Sequence, residues 1–140
     1  MILAVVIYAA RDLIDEVMDH MRCVRTRQFK YIRNYTPENG CRECKYVQQH
    51  RPMLLVIKQL HAEGKLTHAQ QLLLAETKPK EELYDLKADP HEIHNLAQSP
   101  THQKTLNELR ALLDEWIVDT KDKGLAQIES SNKPDACDGK

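Results

Sequence analysis

Hydrophobic and polar positions divide the chain into short segments of contrasting period. The opening "MILAVVIYAA" is a continuous apolar run rich in β-branched residues. That pattern predicts a buried strand starting at Met1. A chain that opens inside a core strand implies a part upstream of it. "RDLIDEVMDH" is acidic and polar and predicts a short helix or a loop. In "MRCVRTRQFKYIRNY" the second arm alternates: Phe29, Tyr31, Arg33 and Tyr35 face one way, Lys30, Ile32 and Asn34 the other. This is the mark of a β-hairpin. "TPENGCRECKYVQQH" reads as a loop, punctuated by Thr36-Pro37 and Asn39-Gly40.

The middle of the chain turns helical. In "RPMLLVIKQLHAEG", Pro52 suits a first turn and Gly64 a C-terminal stop. Thr67 with Gln70 forms a capping-box pattern opening "THAQQLLLAE", and Lys78-Pro79 ends that segment. "EELYDL" predicts a short strand, Asp89-Pro90 a turn, and "HEIHNLA" one or two helical turns. Leu106, Leu109, Leu113 and Trp116, widened by Leu112 and Ile117, give "THQKTLNELRALLDEWIVDT" a helical stripe, with Ser99 or Thr101 as its cap. From about Gly124 the sequence is polar, and residues 125–140 read as a disordered tail. Strands and helices mix without repeated βαβ units. The fold class is therefore α+β: a small antiparallel sheet of about four strands packed on a long C-terminal helix and shorter helices.

Composition excludes some functions. Acidic and basic residues nearly cancel, 21 against 20, so bulk charge gives no case for nucleic acid or an anionic membrane. The apolar opening is far shorter than the roughly 20 residues that span a bilayer. It also lacks the basic start and cleavage site of a signal peptide. Neither nucleic acid nor membrane is expected as a partner, and the compartment is not fixed. The cysteines Cys23, Cys41, Cys44 and Cys137 are too few and too uneven for a disulfide scaffold.

Three clusters carry candidate chemistry. His20-x-x-Cys23 with Cys41-x-x-Cys44 has the ligand types and paired spacing of a zinc site. Against it, a strand points positions i and i+3 to opposite faces, and the alternative is a buried Cys23, a surface His20 and two loop cysteines. Arg22, Arg25, Arg27, Lys30 and Arg33 make a basic hairpin: either an anion-binding face or a solvated sheet surface balanced by the acidic stretch before it. Arg11, Asp12, Asp15, Glu16, Asp19 and His20 form an acid/base cluster only if the fold gathers them in a cleft; otherwise they are an exposed loop. His91, Glu92 and His94 have metal-like spacing but suit a polar surface equally.

In chain order, the segments "ARDLIDEVMDH", "MRCVRTRQFKYIRNY", "HAEGKLTHAQQLLLAETKPKEELYDL", "EELYDLKADPHEIHNLA" and "LRALLDEWIVDTKDKG" resemble the C-terminal region of the sulfatases. The similarity runs from about residue 4 to 124 and is nearest in flavour to the heparan N-sulfatase (sulfamidase) branch. It implies that residues 1–124 are a sulfatase C-terminal subdomain whose partner is an N-terminal catalytic domain, with sulfated substrate bound only by the complete enzyme. It implies architectural roles for Tyr84, Asp85, Asp89, Pro90, Asn95 and Leu96, and places Arg11 and Asp12 towards the substrate cleft. The family's calcium and formylglycine would come from elsewhere. Cys23-Val24-Arg25-Thr26-Arg27 has Arg25 where the formylglycine motif needs Pro or Ala, and the paired N-terminal metal-binding aspartates are missing. The chain alone is expected to be inactive. Two other functions remain open: a small zinc-stabilised module using Cys41 and Cys44, and a non-catalytic module that binds sulfated polysaccharide.

Overall fold

The computed structural model describes residues 5–14, 17–40, 52–124 and 126. Four strands form one antiparallel sheet in the order β1 (Ile7–Ile14), β2 (Val17–Arg25), β3 (Phe29–Asn34), β4 (Glu81–Asp85). Sequence order is therefore also spatial order. Register aligns Tyr8, Val24, Tyr31 and Leu83 in one row across the sheet. Strand side chains alternate between faces, so this row lies on a single face.

That face is covered by the long helix α3 (Gln103–Thr120); the helices before it are α1 (Pro52–Ala62) and α2 (His68–Gln71). Leu106, Leu109 and Leu113 of α3 are buried with Val24, Tyr31 and Leu83 as the core. Each such side chain contributes roughly 1.5–3 kcal/mol by leaving water. Tyr8 stacks on Trp116 with ring centroids 5.3 Å apart, which fixes β1 against the helix. The fold is thus α+β, a four-stranded sheet with one long helix and shorter ones, as the sequence pattern predicts.

Several local signals act as expected. Gly64 takes φ +66 just after α1, and the Lys65 amide donates to the Leu60 carbonyl. The capping box of Thr67 and Gln70 opens α2. Three expectations are corrected. "RDLIDEVMDH" is neither helix nor loop: its described residues are the end of β1 and the start of β2. "HEIHNLA" is not helical; Asp89 Oδ2 accepts the amides of Ile93 and His94 at 2.8 and 2.7 Å, and Glu92 sits at φ +56. Side-chain acceptance of this kind replaces helical pairing. Finally, α3 is preceded by a 3-10 turn at Pro100–His102, and neither Ser99 nor Thr101 caps its backbone. Ser99 Oγ instead lies 2.9 Å from the His102 ring.

The 86–99 segment is held to β4. Asn95 Oδ1 accepts the Leu83 and Ala97 amides, its Nδ2 donates to the Glu81 carbonyl, and the Leu96 amide donates to the Leu83 carbonyl at 2.7 Å. Asp85 Oδ1 accepts from the Lys87 and Ala88 amides, and the Tyr84 hydroxyl donates to Glu82. Asp89 closes the next turn, beside Pro90, by donating its amide to the Asp85 carbonyl.

Candidate functional site

The pairing of β1 with β2 slips by one residue between Arg11 and Leu13. Arg11 faces Met21 and Leu13 faces Met18, so Asp12 stands opposite both Asp19 and His20. Such a bulge bends the strand and re-aims its side chains. It gathers Arg11, Asp12, Asp19 and His20, four members of the acid/base cluster; Asp15 and Glu16 lie outside the described residues.

On the helix side the centre is Arg22, with only 1% of its side chain exposed. Its guanidinium donates to both Asp12 oxygens at 2.9 and 3.0 Å and to both oxygens of Asp122, which follows α3. It also donates to the Arg11 and Met21 carbonyls. The hydrogen bond to Asp122 is the largest effect holding the Arg22 proton more tightly than usual. In return, Arg22 draws the Asp122 carboxyl down to about 2. Arg22 thus ties β1, β2 and the end of α3 together. The sequence pattern places it among solvent-facing cations, and that is corrected here.

His20 lies beside this pair, its Nε2 3.7 Å from Asp12 Oδ1. Its ring stacks on Tyr35 at 4.2 Å. Gly124, at φ +55, approaches so closely that a Cβ there would fall 2.5 Å from the His20 ring. Burial, then the Arg22 charge, lowers the His20 pKa. The folded ring binds a proton less readily than the unfolded one. This contribution to stability is complete above the unfolded value near 6.5 and is lost as pH falls through the folded pKa. We expect the urea midpoint to decline on acidification below about pH 6.5, and His20→Gln to remove that part of the decline. An identical pH profile in the variant would remove His20 as its source.

On the opposite side Asp19 is buried. It receives Lys78 Nζ and, at 3.2 Å, the Thr36 hydroxyl, while Arg11 Nη1 stands 3.7 Å away. Arg11 and Asp12, adjacent in sequence, are therefore separated by the sheet: Asp12 serves Arg22, and Arg11 turns to Asp19. Lys78, Thr36, Tyr35 and Asp122 lack any sequence signal for this site, because they arrive from distant segments.

The remaining candidates are dispersed. His20 and Cys23 lie three residues apart on β2 and point to opposite faces. Cys41 and Cys44 lie outside the described residues. Among the described residues, no group of three His, Cys, Asp or Glu has a metal-holding arrangement. Burial raises the Cys23 thiol pKa, which disfavours the reactive thiolate; Cys23 in mid-strand does not fit a formylglycine. The basic hairpin is not one face either. Arg33 pairs with Asp114 at 2.6 Å, Lys30 with Glu92 at 2.6 Å, and of the five cations only Arg25 and Arg27 are exposed. His91 and His94 are exposed. Among the described residues no helix is long and apolar enough to cross a membrane.

No protein-family model matches the chain. Over 128 residues, 91% of its length, it is 42% identical to an ulvan-active sulfatase of Formosa agariphila. Over 42 residues, 30% of its length, it is 57% identical to a Delta 4,5-hexuronate-2-O-sulfatase of Bacteroides thetaiotaomicron. The solved structure of a 2-O GAG sulfatase superposes with a TM-score of 0.50 and 28% identity, covering 84% of this chain and 17% of that one. The class these relatives define is the hydrolases. Within it they are sulfatases, and the chain is homologous to a small part of them, spanning 22% of the first relative's length and 9% of the second's.

Proposed function

We propose that residues 1–124 are the C-terminal subdomain of a sulfatase acting on sulfate esters or N-sulfated sugars, with residues 125–140 a tail beyond it. The subdomain completes the enzyme's fold and the edge of its cleft; of the pair Arg11 and Asp12 that the resemblance puts near the substrate, Arg11 is the one left to meet it, because Asp12 on the other face is held by Arg22. The observation that carries this is the 42% identity across 91% of the chain, against only 22% of the relative. The nucleophile and metal site belong to the catalytic domain. Support comes from Cys23, half-buried in mid-strand with a raised thiol pKa. Between O-sulfated sugars and the N-sulfated sugars of the heparan N-sulfatase branch, the likeness to a hexuronate-2-O-sulfatase favours a sulfated hexuronate.

The partner is the catalytic domain of the same enzyme. Met53, Leu55 and Val56 of α1 are 72, 61 and 53% exposed, and Leu73 is 55% exposed. Large apolar side chains left in water on this scale suit a surface that another polypeptide covers, and the relatives have ample further chain to do so.

The test is a chimera in which this chain replaces its counterpart in the Formosa agariphila sulfatase. We expect soluble enzyme with metal-dependent sulfate release, and no release by the 140-residue chain alone. A chimera that folds but is inactive, or turnover by the purified chain itself, would overturn the assignment.

A further inference from the structure

We propose that Arg11 and Lys78, gathered around Asp19 by the bulge, form a seat for one carboxylate or sulfate group of an anionic saccharide. The proposal rests on the sulfatase reading and names the part of the substrate this subdomain would hold.

The charge balance points to it. Two cations, Arg11 and Lys78, share the single carboxylate of Asp19, which is 5% exposed. Among the described residues this cluster therefore carries one positive charge in excess. The contrast with Arg22 is direct. Arg22 directs its donors at two carboxylates and two carbonyls. Arg11 Nη1 stands 3.7 Å from Asp19, beyond hydrogen-bond range. Arg11 Nε is buried with no hydrogen-bond partner among the described residues. Yet the Arg11 side chain is 36% exposed, so an incoming group can reach it. A guanidinium fork matches the two oxygens of a carboxylate or sulfate, and an ammonium adds a point charge beside it. Asp19, fixed by Thr36 and Lys78, holds the cations in place without neutralising both.

The experiment is calorimetric and NMR titration of the complete 140-residue chain at constant ionic strength. The probes are sodium sulfate, a 2-O-sulfated uronate disaccharide and an uncharged disaccharide. Whereas the resemblance implies substrate binding only by the complete enzyme, the seat should hold the sulfated disaccharide by itself and not the uncharged one, and Arg11→Gln should weaken binding by roughly tenfold. Lys78→Met should weaken it too, whereas Arg25→Gln, an exposed arginine elsewhere on the sheet, should not. Thermal melts establish that each variant is folded; if Lys78→Met unfolds, Arg11→Gln decides. Unchanged affinity in Arg11→Gln, or no binding by the parent chain, overturns the seat. Sulfate alone binding as tightly as the saccharide overturns the saccharide assignment, and an uncharged disaccharide that binds as tightly as the sulfated one overturns the charge argument. Because none of these arms measures hydrolysis, an active chimera with no Arg11 effect would sink the seat and leave the sulfatase reading standing.

Discussion

Replacing Arg22 with Met lowers the stability of the chain by about 3–5 kcal/mol, the range for removing one partner of a buried ion pair. Arg22 is 1% exposed, and the side chains of Asp12 and Asp122 are 22 and 15% exposed. Without the guanidinium, the two carboxylates face each other across a site that water reaches poorly. The Arg11 and Met21 carbonyls lose a donor as well. Methionine keeps much of the volume, so lost packing is a minor part of the effect. A urea series on parent and variant measures it. Combining Arg22→Met with Asp12→Asn and Asp122→Asn should recover a good share of the loss, because the stranded charges are then gone. A loss under about 1 kcal/mol, the scale of an exposed pair, would mean that solvent reaches the cluster freely.

Leu113→Ala should cost about 2–5 kcal/mol. Leu113 is fully buried among Val24, Tyr31, Leu83, Leu106 and Leu109. The site is walled by the sheet on one side and the helix backbone on the other, so collapse around the missing methyl groups is limited. Val118 on the same helix is 73% exposed, and Val118→Ala should stay within about 0.5 kcal/mol. Comparable losses at the two positions in chemical denaturation would show that α3 does not seat on the sheet through its leucine stripe.

The leucine stripe of α3 and the alternation of β3 are readable in the sequence because each records one buried face at a fixed period. The β1–β2 turn region is not. Its carboxylates and histidine are concentrated where the pairing slips, so Leu13, Ile14, Val17 and Met18 show no clean alternation. "HEIHNLA" misleads for another reason: helical composition loses to Asp89, which takes two backbone amides, and to Asn95, which clips the segment to β4. The Arg22 site is hidden by distance along the chain. Nothing near Arg22 in sequence announces Asp122, a hundred residues later. The resemblance to sulfatases supplied Arg11 and Asp12 as a pair, yet the sheet divides them, one to each face.

Strands β1, β2 and β3 follow one another directly, whereas residues 35–80 intervene before β4. Lengthening an excursion of that kind is cheap once it is closed, since each doubling of a flexible loop costs only about 0.6 kcal/mol. Insertions and deletions between residues 41 and 74, inside the ends that Thr36 and Lys78 tie to Asp19, should therefore leave the sheet intact, while inserting or deleting one residue in the tight β2–β3 turn shifts the register of every row. The long excursion is where homologous enzymes can diverge in length, and alignments across the family should break there first.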